Sequence, residues 1–435
     1  MDRLLQDGDG AEGRRRVPIS VPCQGNCMSE PTEREVTDAF EAAAPIVLAA
    51  TPPQEQVTPA PKPDETWPLP GGTAWVYYGE RNQGIVRPVL MADGFNSGPS
   101  SLDDLWAGLE SSAYPLIGEL RRRGRDVVLI GFDERSASIL ENAQAATAAI
   151  HRAVAERLGS TRLAVGGFSM GGLVTRYALA KMEMQRIDHQ VGVYFSYDSP
   201  HNGAHIPLSL QAFAHYIRKL DSRFSDQMNS PAAQQLLWQH IENWSDKPGV
   251  SPLRTEFLDE LEKVGGWPRI PRILAVANGA GNGTGNGIDP GTTAVKGKGL
   301  GIVGTDLRTT PTGSDTLAAK LRVVSLQKNE VLAERLPDID GAPGGTLESF
   351  QILADALNKI VGLGVDNPVK DHCFVPAVSA VAIRGLDSHK DLYADIDSLP
   401  PDEAQVDDFL CASQNERHTK VTEELCTWLL ERLPD

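Results

Sequence analysis

No run of apolar residues in this 435-residue chain approaches the ~20 needed to cross a bilayer as a helix. The stretch Ala42–Ala50 is apolar but short, and Asp38 and Glu41 precede it where a secretory leader carries positive charge. No export signal is recognisable, and the expectation is a cytoplasmic rather than a secreted protein. Basic charge is in deficit too. Against 58 Asp and Glu stand 41 Lys and Arg, and the net charge of −17 argues against nucleic acid and anionic membrane surfaces as partners. Cysteine is scarce: five residues, an odd number, do not build a disulfide framework. Cys23 and Cys27 are spaced C-x-x-x-C without a second pair or a histidine cluster nearby, so no zinc site is expected there. Cys373 and Cys411 read as buried thiols, with a bridge between them as the alternative.

What is present is the composition of a globular protein, 41% hydrophobic and 23% charged, long enough for two ordinary domains or one large α/β domain with insertions. Residues 1–66 read as a loosely ordered tail. The proline-rich run Thr51–Pro70 sustains neither helix nor ladder, although Glu33–Ala43 has the pattern of a short amphipathic helix. From Trp75 onward, continuous apolar runs alternate with helical patterns. Arg87–Phe95, Asp126–Phe132, Arg162–Phe168, Gln190–Tyr197 and Arg272–Ala277 read as buried strands. Such alternation implies βαβ crossovers and a mainly parallel sheet covered by helices on both faces. The core is expected over residues 67–205 and 268–435. Residues 206–267 break the alternation: Ile206–Leu220 and Ala232–Trp244 are helical in pattern, an insertion placed where a lid would sit. Asn278–Gly287 reads as a flexible Gly/Asn-rich loop.

Gly167-Phe168-Ser169-Met170-Gly171 is a G-x-S-x-G pentapeptide lying between an apolar strand and an amphipathic helix. A turn this sharp requires small residues two before and two after the serine, and Gly167 and Gly171 meet that requirement. It would lift Ser169 above the sheet at a helix N-terminus, where free amides and the dipole favour a developing anion.

With this motif the sequence resembles the lipase and esterase branch of the α/β hydrolases. Met91-Ala92-Asp93-Gly94-Phe95 lies where that branch has its His-Gly oxyanion loop, and Ser199-Pro200-His201-Asn202-Gly203 is similar to its T-P-H-x-G segment. Together with Asp371–Ile383 and Asn415-Glu416-Arg417-His418, these segments extend the resemblance from Trp75 to Leu433. It implies the α/β-hydrolase fold, with the backbone N–H groups of Phe95 and Met170 as oxyanion donors. Asp93 stands in place of the usual histidine, so the loop must be held by different side-chain contacts.

The base comes last in the chain in this fold, between the final strand and the final helix. His418 fits, because Val421, Leu425, Trp428 and Leu429 follow it as a helical stripe stopped by Pro434. His389 lies in a polar stretch, His372 comes before the last apolar strand, and His201 and His205 lie early, near the insertion. Three carboxylates compete for the role of orienting the imidazole. Asp198 closes the fourth strand, where one branch of lipases has its acid. Asp371 is one residue out of register with the position many other lipases use, and Asp340 is the third. Asp198 is favoured, and all three preserve the order Ser, Asp, His.

The expected function is a carboxylic ester hydrolase acting on a small or lipid-like ester through an acyl-enzyme on Ser169, without metal or cofactor. The apolar residues of the insertion point to a medium or long acyl chain. An acyltransferase shares every one of these residues, a peptidase is a further variant, and a catalytically dead scaffold on the same fold is the rival from another class.

Overall fold

A computed structural model describes residues 30–43, 59–110, 113–385 and 392–434. Cys23, Cys27 and His389 lie outside the described residues.

The chain begins with α1 (Glu33–Ala42), opened by a capping box between Thr32 and Glu35. It continues through β1 (Glu65–Leu69), β2 (Gly72–Tyr77), β3 (Pro88–Ala92), α2 (Leu102–Leu109), α3 (Leu116–Arg122) and β4 (Asp126–Phe132). There follow α4 (Ile139–Glu156), β5 (Leu163–Phe168), α5 (Met170–Met184) and β6 (Val191–Tyr197). Four helices come next: α6 (Leu208–Tyr216), α7 (Ser222–Met228), α8 (Pro231–Leu236) and α9 (Pro252–Lys263). After β7 (Arg272–Ala280) lie β8 (Thr293–Gly297), β9 (Asp306–Arg308), β10 (Thr316–Leu321), β11 (Asn329–Ala333) and β12 (Gly344–Leu347). The chain ends with α10 (Ser349–Asn358), β13 (Val365–Asp366), β14 (His372–Pro376), α11 (Ala377–Ala380), β15 (Asp408–Ala412) and α12 (Glu423–Leu430).

The main sheet has the order β1-β2-β4-β3-β5-β6-β7-β15. β1 and β2 are antiparallel to their neighbours, and every pairing from β4 to β15 is parallel. All residues of β3, β4 and β5 are buried, as a sheet covered on both faces requires. Alternate side chains enter two separate cores. Leu90, Val128, Ile130 and Val165 pack with Ala146, Ile150 and Val174 of α4 and α5. Val89, Met91, Val127 and Leu129 pack with Ile117, Leu120, Leu425 and Leu429 of α3 and α12. Each such aliphatic side chain contributes roughly 1.5–3 kcal/mol by leaving water.

A second sheet, order β11-β10-β9-β8-β13 and antiparallel where its pairings are resolved, follows β7. The sequence reading has no counterpart for it, because its strands are short and lack sustained apolar alternation. The helices expected at 206–267 are present. α6 is buried at every residue and packs on β9, β10, β11 and α7, so its apolar members Leu208, Phe213 and Tyr216 are engaged in packing. The pattern over Ala232–Trp244 is helical only to Leu236. There the backbone turns to exchange bonds with Ala204, which accepts from Trp238 N and donates to Leu236 O.

Three further expectations are corrected. Residues 30–43 and 59–66, read as part of a loose tail, are docked: Val36 and Phe40 of α1 are buried, Arg223 donates to the Phe40 carbonyl, and Glu65 begins the main sheet. The last apolar run, at His372, pairs with β12 outside the main sheet, whose final strand is β15. The segment read as a Gly/Asn-rich loop from Asn278 begins inside the main sheet, since Asn278–Ala280 are the last residues of β7. Cys373, Cys411 and Cys426 are free buried thiols. No helix among the described residues is long and apolar enough to cross a membrane.

Candidate active site

β5 ends in a turn that only small residues allow. A Cβ on Gly171 would lie 2.2 Å from the Ala92 carbonyl oxygen, and one on Gly167 would lie 2.3 Å from the Gly171 carbonyl carbon. Between them Ser169 has φ 52° and ψ −124°, a strained conformation costing roughly 1–3 kcal/mol. Its amide donates to the Tyr197 carbonyl at 2.9 Å, which ties the turn to the end of β6. One strand further on the arrangement recurs. Asp198 has φ 48°, and its amide donates to the Val276 carbonyl at 2.8 Å. The two left-handed residues bring their side chains to the same end of the parallel sheet.

His418 lies between them. Its Nε2 is 2.8 Å from Ser169 Oγ, and its Nδ1 is 2.6 Å from Asp198 Oδ2. The carboxylate requires a proton on Nδ1, which leaves Nε2 as the acceptor for the serine hydroxyl. All three side chains are buried. Asp198 Oδ1 accepts from the Asn278 amide at 2.9 Å, so the buried carboxylate has a partner on each oxygen.

The loop carrying His418 is fixed at several points. The Glu416 amide donates to the Asn278 carbonyl, and the His418 amide donates to the Thr346 carbonyl, both at 2.8 Å. Asn278 Nδ2 donates to the Lys420 carbonyl at 2.9 Å. The Phe374 ring meets the His418 imidazole edge-on at 4.8 Å. Asn278, Thr346 and Phe374 were not singled out from the sequence. Nothing local marks them, because their role depends on meeting a loop far along the chain.

Such a sheet order, with a serine on a tight turn after the fifth strand and a histidine loop after the last, decides the architecture. The fold is that of the α/β hydrolases. No family model and no curated protein matches the sequence. Among solved structures, the chain is similar to EstE1, a thermophilic and thermostable carboxylesterase cloned from a metagenomic library. That match has 14% identity and a TM-score of 0.32, over 56% of this chain and 74% of that one. The Bacillus licheniformis lipase BlEst2 in its mature form gives 13% identity and a TM-score of 0.29, over 47% and 72%. The Pyrobaculum calidifontis esterase gives 13% identity and a TM-score of 0.30, over 56% and 71%. Likeness this distant carries no information about substrate.

The remaining candidates are engaged elsewhere. Asp340 is bonded to His205 Nε2 at 2.9 Å and to the Thr310 amide. Burial pushes its carboxyl up, but the His205 hydrogen bond, the His205 and His372 rings and the Thr310 amide together hold it below the usual range. Asp371 is half-buried at the rim of a polar cavity of about 470 Å³, behind the Asn415 side of the histidine loop. Burial, then the neighbouring Glu348, raises its carboxyl. His372 bonds Ser349 Oγ at 2.8 Å, and burial pushes it down to about 4. His201 lies between Ser196 Oγ and Arg176, with burial holding it well below its ordinary value. Among the described residues, the amides of Phe95 and Met170 have no hydrogen-bond acceptor, and Met170 is the first residue of α5. No group of three or more His, Cys, Asp or Glu among the described residues is placed to hold a metal ion.

Proposed function

We propose that the protein is a serine hydrolase that cleaves carboxylic esters through an acyl-enzyme on Ser169. The unbroken line of hydrogen bonds from Asp198 through His418 to Ser169 carries this reading. In the first step His418 Nε2 takes the hydroxyl proton as Ser169 Oγ attacks the ester carbonyl. Asp198 keeps the imidazole in the required tautomer and stabilises it when it becomes charged. The amides of Phe95 and Met170 donate to the oxyanion, each worth about 3–4 kcal/mol in the transition state. The alcohol leaves with the proton held by His418. Water, deprotonated by the same nitrogen, then releases the acid and restores Ser169. Every step uses groups of the chain itself.

A lipid-like acyl chain is the finer form of the proposal, resting on the apolar ring of Phe374 against His418. A p-nitrophenyl ester series measures it, and a preference for acetate over octanoate would remove it.

The test of the reaction class is labelling by a fluorophosphonate probe. The wild type is expected to react and Ser169→Ala to remain unlabelled. A folded wild type that stays unlabelled overturns the proposal.

A further inference from the structure

The loop from β3 to α2 bends back over Ser169: a Cβ on Gly94 would lie 3.3 Å from the serine Cβ. Asp93 opens this loop. Its amide still belongs to the sheet, donating to the Ile130 carbonyl at 3.0 Å. Its carboxylate then turns to the loop itself. Oδ1 accepts the Gly94 amide at 2.7 Å, and Oδ2 accepts Ser100 Oγ at 2.7 Å, so one side chain ties the second residue of the loop to the eighth. Ser100 is anchored in turn, because its Oγ accepts the Phe132 amide and its own amide donates to the Phe132 carbonyl.

Arg135 completes the closure. Its guanidinium lies 3.7 Å from Asp93 Oδ2 and donates to the carbonyls of Ser97 and Gly98. The loop therefore has its Gly94 amide taken by a carboxylate and its far end tied to β4. The Phe95 amide between these ties is left without an acceptor. A loop held only by backbone strain would let that N–H wander by an ångström, enough to cost an oxyanion donor much of its effect.

Resting on the hydrolase reading above, we infer that Asp93 is the positioning residue of the oxyanion loop. Its carboxylate occupies the Gly94 amide and closes the loop on Ser100 and Arg135, so that the Phe95 amide is left free beside Ser169. Asp93 touches no reacting atom in this scheme, and its effect belongs to the transition state rather than to substrate binding. Burial raises its carboxyl while Arg135 opposes that rise.

The experiment compares wild type, Asp93→Ala, Asp93→Asn, Ser100→Ala and Ser169→Ala as full-length chains on p-nitrophenyl butyrate, with melting temperatures recorded alongside. Asp93→Ala is expected to lower kcat by about 10- to 100-fold with KM unchanged within about twofold. Asp93→Asn keeps an oxygen for the Gly94 amide and is expected to recover kcat to within about fivefold of wild type. Fluorophosphonate labelling should slow in Asp93→Ala by the same factor as kcat/KM, since the probe's oxygen needs the same amides. Should Asp93→Ala not fold, Ser100→Ala serves instead, with kcat lower by about three- to tenfold at unchanged KM. Unchanged kcat in whichever variant folds overturns the positioning role. So does an equal loss in Asp93→Ala and Asp93→Asn that follows melting temperature. If wild type is inactive, or as active as Ser169→Ala, the hydrolase reading itself fails. An active, Ser169-dependent wild type with an indifferent Asp93 removes only the inference.

Discussion

Gly345 lies directly against the Asp198 carboxylate: a Cβ there would be 1.9 Å from Oδ2, the oxygen that meets His418. The same residue is held in β12 by pairing with Val375 of β14, so it has no room to retreat. The side-chain-free surface of one strand thus lets a carboxylate from another reach the histidine.

Gly345→Ala is expected to displace the Asp198 carboxylate and weaken its hold on His418. A misplacement of about an ångström costs on the order of 10–100-fold in rate, and the overpacking destabilises the fold by roughly 1–3 kcal/mol. Ester turnover and urea unfolding measure the two separately. Turnover at the wild-type rate would mean that the carboxylate is free to shift without consequence.

Changing either of the other two members of the line, His418 or Asp198, tests it directly. His418→Ala should lower kcat by about 10⁴-fold or more while the melting temperature stays near that of wild type. Asp198→Asn, which keeps the shape but presents the wrong tautomer to the imidazole, should cost on the order of 10⁴-fold. Substantial turnover in His418→Ala would return the base to His201 or His389.

Acid should destabilise the protein well above the carboxylate range. Burial pushes His215 and His372 down to about 4, and both are neutral in the fold. In the unfolded chain they titrate near ~6.5, so between these values the unfolded state binds more protons. Stability is therefore complete above about pH 6.5 and falls as pH drops towards 4, by about 3 kcal/mol for each histidine. Urea unfolding at pH 7.5, 6 and 4.5 reads this slope. His215→Gln should flatten it, and an equally steep slope in that variant would contradict the assignment.

α1 should behave as part of the folded body. Phe40 is buried, and Arg223 donates to the Phe40 and Ala43 carbonyls. Phe40→Ala is expected to cost roughly 3–5 kcal/mol, visible as a lower urea midpoint. A midpoint equal to that of wild type would mean that the helix contributes nothing to the fold.

The amino-acid sequence by itself determined what depends on neighbours along the chain. The buried strands of the main sheet are continuous apolar runs, legible because burial on both faces removes polar alternation. Ser169 was legible because a strand, a turn of small residues and a helix must follow one another without interruption. His418 was legible from its place before the last amphipathic helix.

Only the tertiary structure decided which carboxylate meets His418. Asp198, Asp340 and Asp371 are similar as sequence, and they differ in what lies opposite: His418 for the first, His205 for the second, a polar cavity for the third. The residues that fix the site, Asn278, Gly345 and Thr346, carry no local mark, since each acts on a segment about 70 or more residues away. The antiparallel sheet from β8 to β13 was hidden for the same reason. Its strands are too short to show a period and are specified by one another and by α6, contacts that exist only once the chain has folded.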